Sequence, residues 1–410
     1  MIEVGSDFSG VGAFNQALNK AEIKYTTTFS CDMDKYARET YIDNYGIPDY
    51  YPENVYDREV PEKSLDIYMT SPPCQSFSLA GKRKGEDSVN GVLFYNSHEF
   101  IVKNKPRFFI FENVKGLLSD AKGRTFQIWL DMLGGKSVNG NPVIFPREDA
   151  TPYHIYHQVL NAKNYGVPQN RERVFIVGIR DDVDNNFHFP KPFHLVKRLK
   201  DVLEKNVDKK FYLSDKNIEN LLVYNNRQLE NGRGFSAKFR DIESVKTMDA
   251  LKCGGGGKDD LIKVKSANKI GYEIATENDS INLTFPESET RRGRVGKEVA
   301  QTLDTACNQG VLTDVKQINP SKESYGVQPY QQNRIYEGDI VGTLDTACGK
   351  PSYVTDYSIR RLTPRECFRL MDFPDSFKMP CSNSQMYKQA GNSIVVNVLA
   401  EIIKKLKIYL

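Results

Sequence analysis

The sequence predicts a doubly wound α/β domain interrupted by a long, mainly β insert. Over residues 1–190, apolar runs such as "LDIYMT", "RFFIFEN" and "RVFIVGIRDD" alternate with segments of helical spacing. Such runs are typical of strands buried in a parallel sheet, and the β-α-β order is typical of doubly wound folds. Residues 191–357 are rich in Gly, Asn, Lys and Thr without a long helical period, and helical patterns return over 358–410. We therefore expect the insert 191–357 to be a separate domain.

The elements at the two ends of the chain follow from local spacing. The run "IEVGSDF" predicts a strand that leads into Gly10 and Gly12, and "YTTTFSCD" predicts the next strand, with a helix over 35–44. After the first strand, apolar residues recur at helical spacing at Val11, Phe14, Ala17, Leu18 and Ala21. Near the end of the chain, Thr363 and Pro364 predict the cap and the first turn of a helix. The last segment, "SIVVNVLAEIIKKLKIYL", predicts an amphipathic helix with a basic carboxyl end.

Composition excludes several classes of protein. The 410 residues are 39% hydrophobic and 27% charged, contain no run of about 18 apolar residues, and begin without a leader-like pattern. We therefore expect a soluble cytoplasmic protein. The seven cysteines include no C-x-x-C pair and the five histidines no H-x-x-x-H pair, which argues against a disulfide framework and a bound metal. With a net charge of +3, any nucleic-acid surface must come from local basic clusters.

The insert contains an internal repeat. The segments "SVKTMDALKCGGGG" (244–257), "VAQTLDTACNQG" (299–310) and "IVGTLDTACG" (340–349) share a Thr-apolar-Asp pattern followed by Cys and Gly. An arginine precedes each copy, at Arg240, Arg294 and Arg334. The copies are either a repeated hairpin that builds a scaffold or tandem loops that contact a substrate.

A glycine turn follows the first predicted strand. In "DFSGVGAF", Gly10 and Gly12 allow a tight turn and close approach of a ligand to the start of a helix. Asp32 ends the next strand, where a carboxylate can accept hydrogen bonds from a ribose. The third glycine of the dinucleotide fingerprint is absent, so the turn fits a nucleoside cofactor better than NAD. A structural turn with a solvated Asp32 is the alternative.

A cysteine, an acid and two arginines follow other predicted strands. Cys74 in "SPPCQSFS" lies in a loop after "LDIYMT", and a thiolate there could act as a nucleophile on a backbone fixed by proline. Glu112 ends "FFIFEN", where burial would raise its pKa as a general acid requires. Arg171 and Arg173 share a direction if their segment is extended. Taken alone, these residues are also compatible with a buried structural cysteine, a satisfied glutamate and arginines that cap a strand end.

Together these motifs resemble the cytosine-C5 DNA methyltransferase family of bacteria and phages. Phe-x-Gly-x-Gly, Pro-Cys-Gln, Glu-Asn-Val, Gln-x-Arg-x-Arg, Pro-Arg-Glu-Cys and Gly-Asn-Ser all occur in the family's order, across 1–190 and 358–410. The resemblance implies a Rossmann-like methyltransferase domain that uses S-adenosylmethionine without a metal, and a target-recognition domain at 191–357. It implies a cofactor site formed by Phe8, Ser9, Gly10, Gly12, Asp32, Met33, Asn54, Val55, Pro73, Leu93, Asn392 and Ser393. Met33 replaces an aromatic residue that is frequent in the family, and Asn54 is the nearest match to its adenine-contacting acid.

The resemblance also implies a mechanism. Cys74 would add to C6 of a flipped cytosine, Glu112 would protonate N3, and Arg173, with Arg171 beside it, would hold O2 or a phosphate. The segment "SLAGKRKGEDSVNG" resembles the family's mobile loop, which closes over the base. Contacts to DNA would come from Ser78, Lys82, Arg83, Lys84, Arg240, Arg294, Gln331, Arg334 and Thr343.

The substrate and partners implied are duplex DNA and, acting separately, a cognate restriction endonuclease, with the protein as a monomer. Two other functions stay open from the sequence. One is methylation of transfer RNA, which the large insert disfavours. The other is sequence-specific DNA binding without catalysis, which the intact set of Cys74, Glu112 and Arg173 disfavours.

Overall fold

The computed structural model describes residues 1–73, 89–183, 186–213, 262–276, 278–285, 288, 290–314, 335–336, 340–341 and 357–410. It divides into two compact units. One unit comprises Met1–Lys197, Asp304–Ala306 and Cys367–Leu410, and the other comprises Arg198–Leu303 and Cys307–Glu366. Sequence analysis placed the changes of character after residues 190 and 357, and that division into functional domains stays a prediction.

The first unit contains a mixed β-sheet. The strands of this sheet are β1 (Ile2–Asp7), β2 (Tyr25–Cys31), β3 (Ile67–Thr70), β4 (Phe108–Val114), β5 (Ser137–Val138), β6 (Asn141–Pro142), β7 (Tyr153–Asn161) and β9 (Glu172–Arg180). The short strand β8 (Gln169–Asn170) is not part of it. The helices are α1 (Ala13–Lys20), α2 (Lys35–Tyr45), α3 (Val89–Asn104), α4 (Arg124–Leu133), α5 (Pro364–Leu370), α6 (Asn383–Asn392) and α7 (Val396–Leu406). No helix within the described ranges has both the length and the apolar character that crossing a membrane requires.

The strand order of this sheet is β2-β1-β3-β4-β9-β7-β5-β6. Strand β1 runs parallel to β2 and β3, and β3 runs parallel to β4, as expected for a doubly wound fold. The α/β fold class is therefore confirmed. Strand β9, the run expected in the parallel part, is instead antiparallel to β4 and to β7. An apolar run reports burial on both faces and carries no information about direction.

The direction of β9 decides where its first residues lie. In an antiparallel pair, the amino end of one strand lies beside the carboxyl end of the other. Val114, the last residue of β4, pairs with Arg173, the second residue of β9. The start of β9 is therefore at the sheet edge where β1, β3 and β4 end, which is the edge that binds ligands in open α/β sheets.

Aromatic side chains make up much of the core of this unit. Phe94 of α3 stacks on Trp129 of α4 with ring centroids 4.1 Å apart, and Tyr68 of β3 stacks on Phe100 at 4.2 Å. Offset aromatic pairs of this kind add about 0.5–1.5 kcal/mol to the effect of burial alone. The helices that carry Phe94 and Trp129 are thereby fixed against the sheet.

The second unit is mainly β in its described residues, as the sequence predicts. Its strands are β10 (Ile262–Lys265), β11 (Tyr272–Ala275), β12 (Ser280–Asn282), β13 (Val295–Gly296), β14 (Ala300–Gln301), β15 (Gln309–Asp314), β16 (Ile335–Tyr336), β17 (Ile340–Val341) and β18 (Tyr357–Arg361). Strands β13, β12, β15 and β18 form an antiparallel sheet over a small apolar core. At the start of α5, the Thr363 hydroxyl accepts the Glu366 N–H at 3.2 Å, which confirms the predicted cap.

Candidate active site

The glycine turn after β1 has the backbone conformation that the sequence predicts. Gly10 and Gly12 have φ values of 54° and 84°, a region that favours glycine. A Cβ built on Gly12 would lie 2.2 Å from Cε2 of Tyr45, so Gly12 is also required by packing. A Cβ on Gly10 would meet nothing within 4 Å. The space beside Gly10 is therefore open for a ligand to approach the main chain.

Asp32 lies at this turn. Its carboxylate accepts the N–H of Gly10 at 2.7 Å and the N–H of Asp34 at 2.8 Å. Burial is the largest influence on this group and raises the pKa of Asp32 above its ordinary value of 3.8, against the lowering effect of the two N–H donors. Next to it, the side chain of Met33 is 82% exposed. An open backbone turn, a fixed carboxylate and an exposed apolar side chain together fit a ribose and an adenine base.

The segment that carries Asn54 is held by an arginine. Arg38 donates to the carbonyl oxygens of Tyr51 at 2.8 Å and Pro52 at 3.0 Å, and its guanidinium lies 3.9 Å from the centroid of the Tyr51 ring. Asn54 itself is exposed, and Val55 is buried in the core. The Asp32 N–H donates to the carbonyl oxygen of Pro52, and the Asp32 carboxylate accepts the Gly10 N–H. The segment that carries Asn54 therefore lies near the glycine turn.

Glu112 and Arg173 form an ion pair at the carboxyl end of β4. Glu112 pairs in register with Phe175, two residues beyond Arg173, so both charged side chains lie on one face of the sheet. Nε of Arg173 is 3.1 Å from Oε1 of Glu112. Burial is the largest influence and raises the pKa of Glu112, although the charges of Arg173 and Arg171 oppose it. A buried carboxyl with a raised pKa can hold a proton for donation near neutral pH.

The neighbouring Asn113 connects β4 to the end of β3. Its Nδ2 donates to the carbonyl oxygen of Pro72 at 3.1 Å, and its Oδ1 accepts the N–H of Val114 at 2.9 Å. Pro72 is buried and Pro73 is exposed. The main chain is therefore fixed immediately before Cys74. The Glu-Asn pattern thus contains a buried carboxyl and an amide that positions the proline segment.

Arg171 has a different environment from Arg173. Its side chain is buried, and Nη2 donates to the carbonyl oxygens of Gly391 at 3.0 Å and Ser393 at 2.8 Å. Ser393 is buried and Asn392 is exposed. Arg171 therefore fixes the Gly-Asn-Ser segment at the carboxyl end of α6, and its charge acts on Glu112. The sequence spacing predicts that Arg171 shares a direction with Arg173 and does not predict its hydrogen bonds to Gly391 and Ser393.

Gly391 is in close contact with part of the second repeat copy. A Cβ built on Gly391 would lie 2.3 Å from the carbonyl oxygen of Asp304 and 2.8 Å from Cα of Thr305. Residues Asp304–Ala306 belong to the same compact unit as Gly391. This position therefore requires glycine for a close approach of two backbones.

The remaining predicted site residues either lie against the core or fall outside the described part of the chain. Phe8 and Leu93 pack partly buried against the core, with Phe8 at a φ of 55° and its neighbour Ser9 donating its N–H to Cys31 at 2.9 Å. Residues of which the structure gives no description are Cys74, Ser78, Lys82, Arg83, Lys84, Arg240, Gln331, Arg334 and Thr343.

The prediction for Arg294 needs correction. Its side chain is 0% exposed, and its guanidinium donates to the carbonyl oxygens of Asn282, Thr284 and Phe285. A guanidinium that reads a guanine edge must reach the major groove, so this burial is incompatible with the base contact expected from the repeat pattern. In the described conformation Arg294 closes the turn of residues 282–285.

Comparison with known proteins identifies the family of this chain. A family model for C-5 cytosine-specific DNA methylases matches residues 2–408. The chain belongs to this family. The methylase is 30% identical to the orphan methyltransferase M.SPRI of Bacillus phage SPR, over 99% of this chain and 97% of the relative. It is 31% identical to the type II methyltransferase M.HpaII of Haemophilus parainfluenzae, over 97% of this chain and 87% of the relative.

A solved structure supports the fold. The methylase matches the S. pombe Dnmt2 methyltransferase with a TM-score of 0.51 at 17% identity, over 99% of this chain and 98% of that chain. The family model and the relatives show an enzyme that acts on DNA at C5 of cytosine. The likeness to the solved structure shows the fold alone, which is that of S-adenosylmethionine-dependent methyltransferases.

Proposed function

We propose that the protein methylates C5 of a cytosine flipped out of a specific duplex DNA sequence, through a covalent bond between the sulfur of Cys74 and C6. The observation that carries the proposal is the ion pair of the buried Glu112 with the partly buried Arg173, at the sheet edge where β3 and β4 end. Cys74 follows β3 in the sequence. A flipped base costs a few kcal/mol of unstacking, and a duplex does not expose C6 to a thiolate without it.

The residue types match the demands of the reaction. C5 of cytosine is a weak nucleophile, and addition of the Cys74 thiolate to C6 breaks the conjugation of the ring and makes C5 an enamine carbon. Negative charge then develops on N3 and O2. Glu112, whose pKa burial raises, donates a proton to N3, and Arg173 stabilises charge at O2 or an adjoining phosphate. After methylation, a base accepts the C5 proton, the electron pair of the C5–H bond re-forms the C5–C6 double bond, and Cys74 leaves C6 as a thiolate. N3 returns its added proton to Glu112.

S-adenosylmethionine supplies the methyl group as an electrophile bound to a sulfonium. We propose that it lies against the glycine turn, with Asp32 on the ribose hydroxyls and Met33 beside the adenine. The open space at Gly10 and the fixed carboxylate of Asp32 support this placement. The full set of proposed cofactor residues is Phe8, Ser9, Gly10, Gly12, Asp32, Met33, Asn54, Val55, Pro73, Leu93, Asn392 and Ser393.

Arg171 is proposed as a positioning residue. Its donation to the carbonyl oxygens of Gly391 and Ser393 holds the segment that would contact the cofactor, and its charge lowers the pKa of Glu112 toward the range where proton donation and recovery are both possible. We propose that DNA is bound by Ser78, Lys82, Arg83 and Lys84, which follow Cys74 in the sequence, and by Arg240, Gln331, Arg334 and Thr343.

We also infer a monomer that acts in the cytoplasm of a bacterial or phage-infected cell, apart from any cognate restriction endonuclease. Support comes from relatives that are named as orphan and as type II methyltransferases. An orphan enzyme acts without a restriction endonuclease, whereas a type II methyltransferase is accompanied by an endonuclease that recognises the same sequence.

The test uses the full-length protein with S-adenosylmethionine labelled on its methyl group. We expect label in duplex DNA and none in transfer RNA, and none in either with Cys74→Ser. Label in transfer RNA alone, or in neither substrate, would overturn the proposal. Conversion sequencing of the labelled DNA then gives the recognition sequence.

A second measurement tests the covalent step. Duplex DNA that contains 5-fluorocytosine cannot release its C5 substituent as a cation, so the bond to Cys74 should persist through denaturing electrophoresis. A shifted band with the wild-type protein and none with Cys74→Ser is expected. Glu112→Gln should still bind the DNA but form the band much more slowly, since N3 lacks its proton donor.

A further inference from the structure

Asp7, which immediately precedes the glycine turn, forms a buried ion pair with Arg58. The mechanism proposed above does not use this pair. Asp7, the last residue of β1, is 1% exposed. Nε of Arg58 lies 2.8 Å from Oδ1 and 3.1 Å from Oδ2 of this carboxylate, and the Tyr68 hydroxyl donates to Oδ2 at 2.5 Å. The guanidinium of Arg58 also lies 4.4 Å from the centroid of the Phe100 ring. Each member is therefore placed by at least two contacts.

Stability alone does not account for such a pair. Desolvation of two buried charges can cost more than their attraction returns, and apolar residues of similar volume often fill the same space with no loss of stability. The surroundings of this pair are already aromatic, with Phe29, Tyr68 and Phe100 in one core cluster. We therefore look for the role of the pair in the two chain segments that it connects.

The pair joins two parts of the proposed cofactor site. Asp7 immediately precedes Phe8, whose φ of 55° starts the glycine turn. Arg58 comes from residues 46–66, which contain no helix or strand and carry Asn54 and Val55. Arg38 holds this segment at residues 51 and 52. Arg58 holds it at its other end, so two arginines fix the residues between them.

We propose that Asp7, Arg58 and Tyr68 are positioning residues that fix the Asn54 segment relative to the glycine turn and so set the affinity for S-adenosylmethionine. None of them contacts the reacting atoms. The proposal rests on the cofactor site proposed above. A pre-formed site loses less conformational freedom on binding, so loosening the segment should weaken binding without slowing the chemistry of the bound complex.

The test is Tyr68→Phe, with Tyr153→Phe as its matched control. Tyr153 is also buried in the same core cluster, and its hydroxyl donates at 2.5 Å to the carbonyl oxygen of Pro106. Both changes delete one buried hydroxyl and should lower the melting temperature by similar amounts. Isothermal titration of the full-length protein with S-adenosylhomocysteine should show about a tenfold rise in Kd for Tyr68→Phe and none for Tyr153→Phe.

Kinetics and a second variant complete the test. Tyr68→Phe and Arg58→Lys should raise KM for S-adenosylmethionine and leave kcat at saturation unchanged. An unchanged Kd for Tyr68→Phe, despite the loss of melting temperature, would overturn the proposal. Asp32→Asn separates the two possible failures. If it weakens S-adenosylhomocysteine binding while Tyr68→Phe does not, the cofactor site stands and only the positioning role is wrong; if neither variant weakens binding, the cofactor site is wrong as well.

Discussion

Nε of Arg173 lies 3.1 Å from Oε1 of Glu112 because the reversed strand β9 brings its first residues to the end of β4. A guanidinium and a carboxyl from neighbouring strands thereby face the same space. Neither residue is fully enclosed, since 17% of the Arg173 side chain and 10% of the Glu112 side chain remain exposed. The pair is therefore accessible to a substrate and still shielded enough for its charges to interact strongly.

Replacement of Arg173 should reduce catalysis sharply. We expect Arg173→Ala to lower kcat about 10²–10³-fold, the loss typical of one removed donor at developing negative charge. Arg173→Lys keeps the charge but not the planar fork, and should recover only part of the rate. The control is Lys115→Ala, which removes an exposed partner of Glu172. Equal rates for Arg173→Ala and the control, measured by methyl transfer to duplex DNA, would contradict the assignment.

Glu112 should make the stability of the protein depend on pH. Its pKa is raised from 4.5, so over the interval above 4.5 the folded chain keeps a proton that the unfolded chain releases. Stability from this group is complete below that value and is lost as pH rises through the folded-state pKa. Glu112→Gln lacks the effect. We expect its free energy of unfolding in urea, relative to wild type, to increase between about pH 4 and 8; a decrease would show that the arginines dominate.

Gly391 should not tolerate a side chain. Because a Cβ would lie 2.3 Å from the Asp304 carbonyl oxygen, Gly391→Ala must displace backbone, at a cost of about 1–3 kcal/mol. The neighbouring Asn392 is exposed, so Asn392→Ala is the control and should leave unfolding unchanged. The comparison is made by thermal denaturation. Equal melting temperatures for the two variants would show that Asp304 moves freely.

Arg294 should contribute to stability rather than to base selection. Arg294→Met removes three hydrogen bonds from a buried guanidinium to the carbonyl oxygens of Asn282, Thr284 and Phe285 and should lower stability by about 3 kcal/mol. Arg292 is exposed, and Arg292→Ala should cost less than about 0.5 kcal/mol. Conversion sequencing after methylation at a temperature where both variants are folded should give the wild-type recognition sequence. A changed sequence with unchanged stability would restore the role in base reading.

The parts of the site that sequence could predict are those carried by neighbouring residues on regular elements. Gly10 and Gly12 follow a strand, Asp32 ends the next one, and the structure places Asp32 on the Gly10 N–H. The approach of Glu112 to Arg173 is less direct, since it depends on a strand whose direction the apolar run does not encode. The expected direction was wrong, yet the expected edge was correct, because reversal moved the start of β9 to that edge.

Other parts could not be read from the sequence. Arg58 lies in a largely polar stretch, "PENVYDREV", and its partner Asp7 is 51 positions away. Arg294 precedes a repeat copy, as Arg240 and Arg334 do, but only tertiary packing decides that its guanidinium points into its own unit. Burial of a single charged residue depends on partners that are distant in the chain, and local pattern contains no trace of them.

The bond from Arg171 to residues Gly391 and Ser393 ties the middle of the polypeptide to its last helices. During synthesis, the sheet edge with Glu112 and Arg173 emerges from the ribosome long before these acceptors exist. Until then, the Arg171 guanidinium lacks the two carbonyl oxygens that accept its hydrogen bonds in the folded protein. The carbonyl oxygens of Ala21 and Glu22, after the end of α1, likewise lack the Lys407 ammonium as their donor. A chain whose last two helices have not yet been synthesised therefore lacks the acceptors that fix Arg171 in the folded protein.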